Sequence, residues 1–160
     1  MGELTIRRAR DSDLPAINKL LYEVHKVHSD ARPDLFKAGA KKYTDEELRA
    51  IIAEDRTPVF VAEREGRVVG YAFCIHQQYV HHNNMTDIKT LYIDDLCVDE
   101  GARGCGIGHK LLARVEDFAA ECGAYNLTLH VYEGNDSAEK FYLSAGMGVQ
   151  YLALEKIIKR

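Results

Sequence analysis

Residues 94–112 read DDLCVDEGARGCGIGHKLL, and the rest of the chain can be interpreted outward from this stretch. Its apolar residues Leu96, Cys97 and Val98 are typical of the end of a β-strand. A glycine-rich turn, RGCGIG at 103–108, follows and leads into a helical pattern. Glycine removes side chains, so a bulky ligand can lie against the backbone. Amide N–H groups at a helix N-terminus have no carbonyl partner, and together with the helix dipole they favour an anion. The stretch therefore predicts a phosphate-binding turn.

Two common phosphate-binding motifs do not match this turn. A P-loop ends in Gly-Lys-Ser/Thr, whereas Gly108 is followed by His109. The dinucleotide fingerprint needs its last glycine one residue later and normally lies in the first strand–helix unit. A lone glycine-rich segment is also compatible with a tight turn that only packs its helix closely against a sheet.

The remaining pattern is Arg-x-x-Gly-x-Gly after a strand that ends in valine, and it resembles the coenzyme A pyrophosphate loop of the GCN5-related N-acetyltransferase (GNAT) family. Residues 135–147, NDSAEKFYLSAGM, resemble a second signature of that family, Asn-x-x-Ala-x-x-Phe-Tyr-x-x-x-Gly. The matching residues of this second signature are Asn135, Ala138, Phe141, Tyr142 and Gly146. The motifs occur in the family's order and at about its usual separation. The similarity extends over essentially the whole chain and is closest to the small-amine and polyamine acetyltransferases.

The resemblance implies that acetyl-CoA is the cosubstrate and that its pantetheine arm pairs with the strand end like an added strand. The Cys97 N–H is then the expected donor to the thioester oxygen, and the amides of residues 103–109 are expected to hold the pyrophosphate. The cofactor-binding residues implied in this way are Leu96, Cys97, Val98, Arg103, Gly104, Cys105, Gly106, Ile107, Gly108, His109 and Asn135. One departure is that Glu100-Gly101-Ala102 replaces the family's usual Pro-x-Tyr/Phe before the arginine.

The family pattern also implies a general acid. Acetyl transfer from a thioester needs a neutral amine, a polarised carbonyl and a proton for the leaving thiolate. Tyr142 matches the family's acid, because a phenol with a pKa of about 10 can protonate a thiolate whose acid has a pKa of about 8.5. The alternative is that Tyr142 packs beside Phe141 in the core. Asn135, seven residues earlier, either contacts the pantetheine arm or caps its own helix.

Asp94 and Asp95 interrupt an otherwise apolar strand and are the candidates for a base. Successive strand residues point to opposite faces, so we expect one of the two carboxylates to face inward or into the cleft. By resemblance, Asp94 is the catalytic candidate, either deprotonating the amine through a water or attracting its charge. The alternative is a carboxylate pair that anchors neighbouring loops or helix ends.

No metal site is predicted. Catalytic zinc requires three convergent ligands, and the histidines and cysteines show no such spacing. We expect His25 and His28, with residues 30–36, to border the acceptor pocket or to lie on the surface. The four cysteines, expected to be reduced thiols, are Cys74, Cys97, Cys105 and Cys122.

Composition bounds the class of protein. The chain has 160 residues, a formal net charge of −4 and no apolar run long enough to cross a bilayer. The charge argues against general nucleic-acid binding, which depends on clustered Lys and Arg. We therefore expect a cytoplasmic protein without membrane or nucleic-acid partners, with residues 1–160 forming a single N-acetyltransferase domain.

Hydrophobic periodicity predicts a mixed α/β fold in the order β-α-α-β-β-β-α-β-α-β. The predicted elements are strand 3–9, helix 12–28, helix 44–53, strands 59–62, 68–75 and 86–98, helix 107–119, strand 127–131, helix 136–145 and strand 149–158. The resemblance implies a mostly antiparallel central sheet with a V-shaped splay between the fourth and fifth strands.

The function implied is acetyl-CoA-dependent N-acetylation of a primary amine, expected to be a small molecule, by direct attack in a ternary complex. Two alternatives remain open from the sequence. One is an acetyltransferase for protein N-termini or lysines, and the other is a catalytically idle CoA-binding regulatory module. Family resemblance also makes a homodimer an expectation.

Overall fold

A computed structural model describes residues 2–159, and this part of the chain forms a mixed α/β fold with one five-stranded sheet. The strands are β1 (Leu4–Arg8), β2 (Val59–Arg64), β3 (Arg67–Gln78), β4 (Lys89–Val98) and β5 (Asn126–Leu129). The helices are α1 (Leu14–Ala31), α2 (Asp45–Ala53), α3 (Ile107–Glu121) and α4 (Asp136–Ser144). The predicted order of elements is confirmed as far as α4. No helix among the described residues is both long and apolar enough to cross a bilayer.

The sheet order is β1-β2-β3-β4-β5, and the pairs from β1 to β4 are antiparallel. β5 is parallel to β4 but pairs only with Thr90–Ile93. Residues 95–98 of β4 therefore pair with β3 on one side, and no strand of the described part of the chain pairs with residues 94–98 on the other. This is the parting of the fourth and fifth strands that the sequence analysis expected.

A β-bulge interrupts the pairing of β3 with β4. Phe73 lies opposite Asp95, but the next residue, Cys74, lies opposite Ile93, so Asp94 has no partner in the register. A bulge inserts one residue into a strand and redirects the side chains beside it. Its position, at the first residue beyond the β5 pairing, matters for the site described below.

Helices α1 and α3 cover opposite faces of the sheet. Val59 and Val61 of β2 belong to the core cluster that contains α1, whereas Phe60 between them packs edge-on against Phe118 of α3, with ring centroids 5.2 Å apart. Alternate strand residues point to opposite faces, so α1 and α3 lie on opposite sides. The cluster on the α1 side consists of Leu14, Ile17, Leu20, Leu21, Leu48, Val59, Val61, Tyr71, Phe73 and Cys97.

Capping residues set the beginnings of two helices. The Glu47 N–H donates to the Thr44 hydroxyl and the Thr44 N–H donates to the Glu47 carboxylate, and these two bonds form a capping box at the start of α2. Helix α3 begins after Gly106, whose φ of +74° lies in the left-handed region. Glycine adopts this conformation without the steric cost that other residues carry.

The chain divides into two compact units, Met1–His130 and Val131–Arg160. The second unit contains α4 but not the final strand predicted for residues 149–158, and that prediction is wrong. Alternating apolar residues form a strand only where a neighbouring edge supplies hydrogen bonds, and these residues pair with none of the five described strands. Their apolar side chains are exposed, Leu154 to 92%. The expectation of a single domain stays a prediction.

Candidate functional site

The backbone of β4 beyond Ile93 presents its polar groups in a fixed alternation. The Asp99 N–H donates to the Val69 carbonyl at 2.8 Å, which makes Val69 and Asp99 a hydrogen-bonded pair. Hydrogen-bonded and non-hydrogen-bonded pairs alternate along an antiparallel ladder. Cys97, opposite Tyr71, therefore directs its N–H and carbonyl towards β3. Leu96 and Val98 direct theirs to the other side, where residues 2–159 place no strand; we call this side the open edge.

This geometry corrects the expectation that the Cys97 N–H is the donor to a thioester. The ladder uses that N–H within the sheet, so the donors at the open edge are the N–H groups of Leu96 and Val98. The Cys97 side chain is also turned inward, with its Sγ 3.8 Å from the Leu20 carbonyl oxygen. Burial raises the pKa of this thiol to about 12, which excludes it as a thiolate at neutral pH.

The glycine-rich turn lies next in sequence to the open edge. Gly104 and Gly106 have φ of +83° and +74°, and a Cβ added at either residue would meet no atom within 4 Å. The first N–H of α3 that bonds back into the helix is that of Lys110, which donates to the Gly106 carbonyl at 3.1 Å. The amides of Ile107 and Gly108 precede it and have no carbonyl within the helix. The turn therefore offers bare backbone and helix N-terminal donors, as predicted for an anion site.

Two contacts fix the segment between β4 and this turn. The Arg103 Nε donates to the Val98 carbonyl at 3.1 Å, at the open edge. Residues 100–102, where the sequence departs from the family pattern, form a short 3-10 turn whose Gly101 N–H donates to the Asp99 carboxylate at 3.0 Å. Lys19 of α1 also binds Asp99, at 3.1 Å. Where the family usually has a proline, this chain therefore has a short turn that Asp99 caps and that the Lys19–Asp99 contact ties to α1.

Asp94, at the bulge, is bound by two residues that precede α2. The Tyr43 hydroxyl donates to Asp94 Oδ2, and the Lys42 ammonium lies 2.9 Å from Asp94 Oδ1. Lys42 also approaches the Asp94 carbonyl oxygen, at 3.3 Å. The Tyr43 ring stacks on Phe73, with centroids 5.8 Å apart. Desolvation and the Asp94 hydrogen bond raise the pKa of Tyr43 well above its usual value, so this tyrosine stays a donor.

Asp95 accepts a hydrogen bond from the Tyr71 hydroxyl at 2.8 Å. Tyr71 packs edge-on against Phe73, with centroids 4.9 Å apart, so the two carboxylates are bound by tyrosines that contact the same phenylalanine. The bulge at Asp94 interrupts the alternation along β4, and both carboxylates lie within reach of this one aromatic cluster. Burial raises the pKa of Asp95 to about 6, against the opposing effect of the Tyr71 hydrogen bond.

Sequence reasoning missed Lys42, Tyr43 and Tyr71. Their partners lie far away along the chain, and only the bulge and the fold of the segment before α2 bring them together. One local signal existed for Tyr71, which is two residues before Phe73 in an apolar strand and so shares its face. No local signal indicated Lys42.

The two histidines of α1 hold the segment that follows the helix. His25 Nε2 lies 2.6 Å from the Lys37 carbonyl oxygen, and the His28 ring stacks on Phe36, with centroids 5.3 Å apart. Burial lowers the pKa of His28, so it is mostly neutral at pH 7. Within residues 2–159 no group of three His, Cys, Asp or Glu side chains is arranged to hold a metal ion.

The second unit carries the remaining candidates. The Asn135 side chain accepts a hydrogen bond from the Ala138 N–H at 3.4 Å, which is the capping role that the sequence analysis left open. Tyr142 lies on α4, and its ring packs against Phe141 with centroids 5.0 Å apart. Its carbonyl accepts from the Met147 N–H at 3.1 Å, which helps to end the helix. Their roles towards a cosubstrate stay predictions.

Comparisons with known proteins agree on one family. The family model described as "Acetyltransferase (GNAT) family" matches residues 21–147. The uncharacterized N-acetyltransferase YhfO of Bacillus subtilis is 29% identical over 143 residues, which are 89% of each chain. A crystal structure of a mutant BH1408 protein from Bacillus halodurans has a TM-score of 0.93 and 29% identity, covering 97% of this chain and 99% of that one. A soil metagenomic aminoglycoside acetyltransferase in complex with sisomicin shares the fold alone, at a TM-score of 0.73, 23% identity and coverage of 98% and 97%.

Proposed function

This chain belongs to the GNAT family of acetyltransferases, and from that premise we propose that it transfers the acetyl group of acetyl-CoA to a primary amine of a small molecule by direct attack in a ternary complex. One observation carries the proposal: the open edge of β4 leads directly into a glycine-rich turn at the N-terminus of α3. An extended amide-containing arm with a pyrophosphate at one end matches that combination.

The cosubstrate would bind mainly through backbone groups. We assign the Leu96 N–H to the thioester oxygen and the Val98 N–H to an amide of the pantetheine arm, because both groups point to the open edge. The amides of residues 103–109 would hold the pyrophosphate. Arg103 donates to the Val98 carbonyl through Nε, which leaves its terminal nitrogens to add charge beside the phosphates.

The acceptor side is defined by the two carboxylates at the bulge. Asp94 and Asp95 carry up to two negative charges, and Lys42 offsets one of them. A net negative site attracts an ammonium group, and an alkylammonium with a pKa of about 10.4 is almost wholly protonated at pH 7. The fold relative described as an aminoglycoside acetyltransferase in complex with sisomicin makes a small molecule the first class of acceptor to test.

The proposed chemistry needs a base that takes a proton from the ammonium and an acid that gives a proton to the leaving thiolate. A carboxylate removes a proton from the ammonium, and the neutral amine attacks the thioester carbonyl. The Leu96 N–H would stabilise the negative charge that grows on the carbonyl oxygen. The phenol of Tyr142 is the proposed source of the proton for the leaving thiolate.

A panel of acceptors tests the proposed function. Release of free CoA thiol from acetyl-CoA would be measured with a diamine, an aminoglycoside, a neutral monoamine and a peptide with a free N-terminus. We expect the highest kcat/KM for a cationic small amine. Preference for the peptide would replace the small-molecule acceptor with a protein, and tight acetyl-CoA binding without turnover on any acceptor would favour an idle CoA-binding module.

Gly106→Glu is expected to weaken acetyl-CoA binding at least tenfold, about 1.4 kcal/mol. The substitution places a carboxylate and added bulk in the turn proposed to hold the pyrophosphate. Isothermal titration calorimetry measures the change in Kd.

A matched control separates loss of the site from backbone strain. Gly66, in the β2–β3 turn, has a φ of +73°, and a Cβ added there also meets no atom within 4 Å. Gly66→Glu therefore introduces the same charge and similar strain away from the turn, and should bind acetyl-CoA normally. Equal affinity of folded Gly106→Glu and Gly66→Glu would remove the pyrophosphate assignment.

A further inference from the structure

The two oxygens of the Asp94 carboxylate are already engaged. Oδ2 accepts from the Tyr43 hydroxyl, and Oδ1 faces the Lys42 ammonium at 2.9 Å. An ammonium that approached Asp94 would have to share these oxygens with Lys42 and Tyr43. Asp94 also fixes the segment before α2, because Tyr43 stacks on Phe73 beneath it. These contacts suit an anchor better than a base.

Asp95 has a different environment. Its Oδ2 accepts from the Tyr71 hydroxyl at 2.8 Å, and no other side chain in residues 2–159 donates to this carboxylate. The Leu96 amide, which points to the open edge, belongs to the next residue along the strand. Asp95 thus combines a fixed orientation with proximity to the backbone group assigned to the thioester oxygen.

We infer that Asp95, and not Asp94, accepts the proton of the acceptor ammonium, with Tyr71 and Lys42 as positioning residues. This inference rests on the proposed acetyl transfer. It resolves the choice between the two acids that the sequence left open, and it gives Asp94 the role of holding Lys42 and Tyr43 at the acceptor side.

The step balances as follows. The Asp95 carboxylate takes one proton from the ammonium, and the amine nitrogen attacks the acetyl carbon of the thioester. The new C–N bond forms as the C–S bond breaks, and the thiolate leaves and takes a proton. The nitrogen loses its second proton as the amide forms, so one proton is released to solvent overall.

The charged groups around Asp95 support this role. Burial is the main cause that raises its pKa to about 6, with Asp94 adding to the rise, while Tyr71 and Lys42 act in the opposite direction. Cys97, on the same strand, is buried and protonated. From α1, Glu23 acts on Cys97 and carries a buried carboxylate oxygen without a hydrogen-bond partner among the described residues. A base is most effective when its pKa lies near the working pH.

The test compares kcat/KM with pH for wild type, Asp95→Asn and Asp94→Asn on the same cationic amine. Dividing the wild-type profile by that of Asp95→Asn removes the titration of the amine itself. We expect this ratio to rise with pH through a midpoint near 6 and to reach at least about 10². Asp94→Asn should lose less activity than Asp95→Asn. The reverse order of losses, or a ratio independent of pH, would overturn the inference.

Substitution of a neighbour of Asp95 should shift the midpoint of this ratio, in a direction set by how that neighbour acts on the Asp95 carboxylate. Tyr71→Phe and Lys42→Met each remove an interaction that favours ionised Asp95, so the midpoint should rise. Asp94→Asn removes a like charge, so the midpoint should fall. Residues with a purely structural role would change activity or stability without shifting the midpoint in these directions, and unshifted midpoints would contradict the assignment.

A measurement without catalysis distinguishes failure of this inference from failure of the proposed function. The pKa of Asp95 is about 6 when folded and about 3.9 when unfolded. The native state therefore binds this proton more tightly than the unfolded state does. As pH rises from about 4 to 6 the proton is lost, and this lowers the free energy of unfolding of the wild type. Asp95→Asn should gain stability relative to wild type over this interval. Absence of that gain would refute the inference, whereas absence of turnover on every amine with the gain present would refute only the acetyl transfer.

Discussion

Replacement of Tyr142 by Phe should lower kcat about 10²–10⁴-fold, with little change in the Kd for acetyl-CoA. The substitution removes one hydroxyl and almost no volume. Without the hydroxyl that we propose as the acid, the thiolate leaves without a positioned proton. Single-turnover acetyl transfer, which isolates the chemical step from product release, measures the effect.

Tyr125→Phe is the matched control for that experiment. Tyr125 is 75% exposed, so its hydroxyl can be removed without disturbing the core. We expect wild-type rates from it. If Tyr142→Phe and Tyr125→Phe have equal rates, Tyr142 is not the general acid and only packs beside Phe141.

Leu96→Pro is expected to reduce kcat about 10²–10³-fold while the protein remains folded. Proline removes the N–H group that we assign to the thioester oxygen. That N–H points to the open edge and contributes nothing to the pairing with β3, so the substitution costs no hydrogen bond of the ladder. Circular dichroism and thermal unfolding establish the fold, and thiol release gives the rate.

Two neighbouring variants make this experiment specific. Leu96→Ala shortens the same side chain but keeps the N–H, and should retain most of the activity. Cys97→Pro removes an N–H that bonds to β3, so it should lower thermal stability more than Leu96→Pro. If Leu96→Pro and Leu96→Ala have equal rates, the oxyanion donor lies elsewhere.

Much of the fold could be predicted because its signals are local. The glycine-rich turn, the capping box of Thr44 and Glu47, and the apolar periodicity of α1 and α3 each act within a few residues. These features gave the element order as far as α4. The strand predicted for residues 149–158 failed because a strand depends on a neighbour that its own sequence does not encode.

The candidate site was less accessible to sequence reasoning. A β-bulge leaves no reliable trace in a single sequence, yet it brings Asp94 and Asp95 to the same aromatic cluster. The Cys97 N–H points towards β3 because of the register in which β4 pairs with β3. The alternation of side chains along one strand does not give that register. The contacts of Lys42 and Tyr43 with Asp94 depend on the irregular segment before α2, for which periodicity makes no prediction.

The open edge of β4 has a consequence for the lifetime of the protein. An unpaired strand edge is a place where a folded chain opens and aggregates. A cosubstrate bound there would supply the missing backbone partners, and a ligand that binds only the native state stabilises it by about 2.7 kcal/mol at a concentration of 100 times its Kd. Resistance to heat and to proteolysis would then rise and fall with the supply of acetyl donor, so that starvation for the donor would shorten the survival of the enzyme that consumes it.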